Sequence, residues 1–175
     1  PPISSEPRSD YAGIIAGGLG DDNRGYVLAD HSRQGTPKEW AETAIDAYDL
    51  YEADAIVAET NQGGEMVANT IHSIRPGIRV IEVKATRGKH VRAEPISALY
   101  GLDRISHIGA FPELEQQMCL MTADGYQGDG SPDRVDALVW LFSELFPKMT
   151  RRERPLNQSL PTRTNSKYRA HRLYG

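Results

Sequence analysis

Asp133 and Asp136 stand three residues apart in the segment Ser131-Pro132-Asp133-Arg134-Val135-Asp136-Ala137-Leu138-Val139-Trp140. Ser131 before Pro132 reads as a helix start, with a hydroxyl N-cap and a proline at the first helical position. Residues at i and i+3 share a helix face, so the two carboxylates point the same way. Val135, Leu138, Val139, Phe142 and Leu145 gather on the opposite face. Paired acids of this kind can hold a divalent cation. They can equally form a solvated face that favours the positive end of the helix dipole. The helix alone leaves both readings open.

Other acids bear on the choice. Glu59 ends an apolar run, Ala53 to Ala58, that reads as a buried strand, and a polar Asn61-Gln62-Gly63-Gly64 loop follows. Ligand sites of open α/β sheets gather at the carboxyl ends of strands. A plain loop acid facing water is the alternative. Asp10 precedes the first apolar run. If their elements converge, Asp10, Glu59, Asp133 and Asp136 supply four carboxylates at one edge. In-line phosphodiester hydrolysis uses two divalent ions about 4 Å apart, one forming the attacking hydroxide and one stabilising the leaving oxygen. Oxygen-only ligands select Mg²⁺ or Mn²⁺ over zinc. Lys84, Arg87, Lys89 and Arg92 form a basic, glycine-containing stretch that could contact DNA phosphates, or simply be a solvated loop.

The elements that must position these groups follow from periodicity. Ala12–Gly18 and Gly25–Ala29 flank Gly20-Asp21-Asp22-Asn23 and read as a hairpin. Thr36-Pro37-Lys38-Glu39 is a capping box opening a helix, with Trp40, Ala44, Ala47, Tyr48 and Tyr51 on one face. After the Glu59 strand come a helix over 65–73, a strand over 78–84, a helix from the basic loop to about Tyr100, and a strand over 104–108. A helix over 112–121, a glycine-rich loop over 125–130 and the helix to about Phe146 complete the order. Strands alternating with helices predict an α/β fold with parallel crossovers, and the leading hairpin makes the sheet mixed.

Composition sets the bounds. The 175 residues are 39% hydrophobic and 25% charged, as expected of one globular domain. No apolar run approaches the ~20 residues of a membrane span, and no signal-peptide pattern opens the chain. Cys119 is the single cysteine, which points to a reducing compartment, and its apolar neighbours Met118, Leu120 and Met121 make it a core residue. His31, His72 and His107 read as structural histidines. Gly17, Gly18 and Gly20 precede no helix, so they form no phosphate-cradling loop, and the Gly-x-x-x-x-Gly-Lys-Ser/Thr motif of ATPases is absent. Residues 151–175 hold seven Lys/Arg against one Glu, a net +6; with −4 overall, residues 1–150 carry −10. The division is therefore a domain over 1–148 and a basic, flexible tail over 149–175. The start at Pro1-Pro2, without Met, reads as a piece of a longer protein.

Several segments together resemble the C-terminal nuclease domain of the large terminase subunit of tailed bacteriophages, or of the packaging motor of gene transfer agents. They are Gly13-Ile14-Ile15-Ala16-Gly17, Tyr26-Val27-Leu28-Ala29-Asp30, Ala58-Glu59-Thr60-Asn61-Gln62-Gly63-Gly64, Lys89-His90-Val91-Arg92-Ala93-Glu94-Pro95 and Ser131-Pro132-Asp133-Arg134-Val135-Asp136-Ala137-Leu138. The resemblance implies a ribonuclease H-like fold, a mixed sheet flanked by helices. It also implies a Mg²⁺- or Mn²⁺-dependent, two-metal endonuclease that cuts concatemeric double-stranded DNA in the bacterial host cytoplasm. Its partners would be the portal protein, the small terminase subunit and an N-terminal ATPase domain of the same polypeptide, with no membrane. Glu59 matches the second acidic ligand, Asp133 and Asp136 match the acids of the last helix, and Asp10 resembles an auxiliary acid. The family's first catalytic aspartate ends the first strand and commonly precedes a proline; here that position falls just before Pro1, so the chain as given lacks that ligand and that strand. Two other functions fit the same residues: a non-catalytic module that grips DNA or docks on the portal, and a resolvase-like nuclease acting on branched DNA.

Overall fold

The computed structural model describes residues 10–60 and 65–150. The segment before Asp10, the Asn61–Gly64 loop and the basic tail from Arg151 lie outside the described residues. In chain order the elements are β1 (Asp10–Ala12), β2 (Ile15–Leu19), β3 (Gly25–Asp30), β4 (Arg33–Gly35), α1 (Pro37–Leu50), β5 (Ile56–Glu59), α2 (Glu65–Ile74) and β6 (Val80–Val83). They continue with α3 (Lys89–Gly101), β7 (Ile105–His107), α4 (Pro112–Cys119), β8 (Met121–Thr122), β9 (Gly125–Tyr126) and α5 (Asp133–Leu145).

The architecture is α/β with mixed strand pairing. β2 and β3 form the expected antiparallel hairpin, irregular between Ala16 and Gly17, and β7 adds to β3 in parallel. Asn23 takes a φ of 60° in the hairpin turn, a left-handed conformation that asparagine tolerates. β5 and β6 form a separate parallel pair. The capping box at α1 is present: Thr36 accepts from the Glu39 amide, and the Glu39 carboxylate accepts from the Thr36 amide.

α5 is the spine of the larger core. Val135, Leu138, Val139, Phe142 and Phe146 pack with Val27 of β3, Ile105 of β7, Ile96 and Leu99 of α3 and Leu114 of α4. A second cluster, Ala41, Ile45, Ile71 and Ile78, joins α1 and α2 to the β5–β6 pair, with Ile56 and Val80 packed against it. α5 touches both β2 and β5, so it links the two sets of strands.

Three features differ from the sequence-based expectations. The short pairs β1–β4 and β8–β9 are additional; strands this short leave almost no periodicity to read. Cys119 is exposed rather than buried. Leu114 and Met118, four residues apart, take the core-facing side of α4, and Cys119 lies about 100° around the helix from Met118. Ser131 does not cap the last helix; how that helix is capped bears on the site.

Candidate active site

Glu59 is the last residue of β5, paired with Val83 of β6. The next residue locks it there. Thr60 is buried and donates to the Val83 carbonyl through both its amide (2.7 Å) and its hydroxyl (3.2 Å). The Glu59 side chain then meets α5: Trp140 donates its indole N–H to Oε2 at 3.1 Å.

The start of α5 is fixed by neighbouring elements. Gly13, between β1 and β2, passes so close that a Cβ there would lie 2.0 Å from the Asp133 carbonyl oxygen. Gln117 of α4 accepts from the amides of Arg134 (3.1 Å) and Val135 (3.4 Å). These are two of the N-terminal donors that a helix leaves unsatisfied, so the cap comes from another helix. The Ser131 hydroxyl instead donates to Asp133 Oδ1 at 2.6 Å. Arg134 reaches back to Asp30 at the end of β3, Nε to Oδ2 at 2.8 Å, and lies over the Tyr11 ring. This tether joins the end of β3 to the start of α5.

α3 supplies the opposing charge. Its first turn carries Lys89 and Arg92 but no acid, and Gly88 offers no side-chain cap. Cations at the positive end of a helix dipole are unfavourable in isolation. Here they face the acids of α5, whose own first turn holds Asp133 and Asp136, where acids are favoured. Lys89 Nζ lies 3.2 Å from Asp136 Oδ2 and 3.9 Å from Asp133 Oδ1, and donates to the Ser131 hydroxyl at 2.8 Å. Arg92 donates to Asp136 Oδ1 at 2.6 Å and to Glu59 Oε1 at 3.5 Å. Its guanidinium carbon sits 4.6 Å from the Trp140 ring centroid, a cation–π distance. The Arg92 and Asp136 side chains are 9% and 11% exposed, so this charge pair is largely out of water.

Asp133, Asp136, Glu59, Lys89 and Arg92 therefore form one edge built from β5, α3 and α5. A family model described as a terminase RNaseH-like domain matches residues 2–145. The chain belongs to the terminase RNaseH-like family. Comparison with curated proteins gives no match. Membership makes the fold ribonuclease H-like and ties the chain in general terms to the nuclease work of DNA packaging.

The remaining candidates of this terminase domain divide. Asp10 opens β1 opposite Gly35. Lys84 and Arg87 are exposed between β6 and α3. His72 contacts the Ile78 carbonyl through Nε2 at 3.0 Å, a structural role, and His31 faces the Tyr51 hydroxyl. His107 lies between the Tyr100 hydroxyl (2.8 Å) and Glu115 Oε1 (2.9 Å). Burial pushes the Tyr100 phenol well up, so it keeps its proton, and its hydroxyl pairs with Nε2. His107 Nδ1 donates to the Glu115 carboxylate. This hydrogen bond, with one from the Phe111 amide, holds the Glu115 carboxyl below its usual range. The trio pins α3, β7 and α4 together.

Sequence reasoning missed Trp140, Gln117 and the Asp30–Arg134 tether. Trp140 was accessible to it, because 133, 136 and 140 fall on one helical stripe. The other two depend on contacts between elements far apart in the chain.

The donor set suits a divalent ion in chemistry. All three acids offer hard oxygens, and a guanidinium already stands as a positive charge between Glu59 and Asp136. Among the described residues, no three Asp, Glu, His or Cys side chains are grouped closely enough to hold a metal ion as they stand. The acids are joined through cations of the chain itself. No helix among the described residues is long and apolar enough to cross a membrane.

Proposed function

We propose that this chain is the DNA-cutting domain of a packaging terminase, with Glu59, Asp136 and Asp133 as its acidic ligands for Mg²⁺ or Mn²⁺. One observation carries the reading: Glu59 from β5 and Asp136 from α5 converge on one largely desolvated cation, Arg92. Divalent ions held by these acids would supply the charge that activates water and stabilises the leaving oxygen of a phosphodiester. Asp10, and the first catalytic aspartate that the resemblance implies, would complete the ligand set.

The chain's own groups have separable roles. Trp140 orients Glu59 by its indole hydrogen bond. Ser131 orients Asp133, and Gln117 with Gly13 sets where the aspartate-bearing helix begins. Lys89, at 41% side-chain exposure, would meet a DNA phosphate beside the acids. The exposed Lys84 and Arg87 would extend that contact along the backbone of a duplex. The substrate is concatemeric double-stranded DNA, and the portal protein, small subunit and ATPase domain are the partners expected of such a domain.

The test is plasmid cleavage in Mn²⁺ by the chain extended to carry the upstream aspartate. Nicking or linearisation is expected, lost on adding chelator and in Glu59→Ala and Asp136→Ala. Cleavage by those variants at the unsubstituted rate contradicts the assignment. Preference for a Holliday junction over linear duplex would instead mark a resolvase-like enzyme.

A second reading, a module that grips DNA or the portal without chemistry, draws on Arg92 and Lys89 neutralising the acids within the fold. It requires that DNA binding persist in chelator and that no cleavage occur with the upstream aspartate present.

A further inference from the structure

We propose that Arg92 is the resident counter-cation of the acidic edge, and that a divalent ion reaches Glu59 and Asp136 only by exchange with its guanidinium. The inference rests on the metal-binding reading above.

Arg92 occupies the position a metal would need, since its two terminal nitrogens contact one oxygen of each acid. A divalent ion on the same oxygens would meet a positive charge at hydrogen-bonding range in a largely desolvated site, and the two repel. The guanidinium is also incompletely held. Its Nε is buried without a hydrogen-bond partner. Its contacts to Glu59 (3.5 Å) and the Arg87 carbonyl (3.4 Å) are long. It does not use the paired fork that makes arginine–carboxylate contacts strong. One short bond, to Asp136, and the face of Trp140 keep it in place. Such a side chain can leave when a stronger cation competes. The folded chain thus carries a brake on its own site: metal affinity is lower than three carboxylates would give, and ion entry is coupled to withdrawal of Arg92 from Trp140.

The chain has two tryptophans, and in a Trp40→Phe background Trp140 reports alone. The experiment is a Mn²⁺ titration of the full chain in that background, followed by calorimetry and by Trp140 emission. Emission should change with Mn²⁺ occupancy as the guanidinium leaves the ring, and Glu59→Gln should abolish the change. Arg92→Gln should bind Mn²⁺ at least about tenfold more tightly, because one opposing charge is gone. Arg92→Lys, which keeps the charge, should stay near the parent. Equal or weaker Mn²⁺ binding by folded Arg92→Gln overturns the exchange while leaving the metal site standing. If Arg92→Gln does not fold, the parent titration decides: calorimetric binding with unchanged emission overturns the proposal, and coupled signals support it. Absence of Mn²⁺ binding in every chain, and also in the chain extended to carry the upstream aspartate, overturns the metal site and the exchange with it.

Discussion

Trp140 and Asp136 differ in what they do for Glu59. Trp140 touches it directly and neutrally, so Trp140→Phe keeps the aromatic face under Arg92 and removes only the N–H donor. Groups that orient metal ligands typically matter by about 10- to 100-fold in affinity or activity. Trp140→Phe should therefore weaken Mn²⁺ binding by about that range with unfolding midpoints nearly unchanged; an unaltered affinity would remove Trp140 from the site. The Glu115 carboxyl offers a pH test. Its folded value lies below the ordinary 4.5 because His107, then the Phe111 amide, hydrogen-bond to it. A depressed carboxyl stabilises the fold above its unfolded pKa and ceases to do so as pH falls through the folded one. Urea unfolding of the unsubstituted chain and Glu115→Gln should show a gap at neutral pH that closes as the pH drops below 4.5. A gap independent of pH would mean that the charge of Glu115 contributes nothing.

The start of α5 depends on two residues from other elements. Gly13→Ala would drive a methyl into the backbone of Asp133. Overpacking of this kind costs about 1–3 kcal/mol, and the shift of the helix start should lower Mn²⁺ affinity as well. Gln117→Ala removes the acceptor for two helix N–H groups and should cost about 1 kcal/mol, as other cap losses do. Ser131→Ala should cost less in stability, since its hydroxyl serves Asp133 and not the backbone. Denaturant midpoints of the two variants settle the order; a larger loss at Ser131 would restore it as the cap. This pair marks where sequence reasoning stops. The apolar face of α5 was readable from its 3.6-residue period, and four of its five residues are buried. The capping box of α1 was readable because its signal is local. The cap of α5 was not, because Gln117 lies 14 residues before Ser131 on another helix. In α1 the named face was slightly rotated: Ala47 is buried as expected, but so are Ala41 and Ile45, and Trp40 and Tyr48 only flank them. Several small and aromatic residues spread around that helix blurred its period.

Across the whole molecule, the acidic body and the site form one electrostatic problem. The first 150 residues carry −10, which would repel a DNA backbone unless local cations intervene. The charges of Lys89 and Arg92 and of Glu59, Asp133 and Asp136 were legible in the sequence. Their pairing was not legible, because it depends on α3 and α5 meeting with Lys89 and Arg92 opposite Asp133 and Asp136. That register turns a list of charges into a site that largely neutralises itself. The most direct measurement is anomalous scattering from crystals of this chain soaked in Mn²⁺. A peak is expected within coordination distance of Glu59 and Asp136, with the Arg92 guanidinium withdrawn from between them. Mn²⁺ bound elsewhere, or no peak with Arg92 still bridging the two acids, would contradict it.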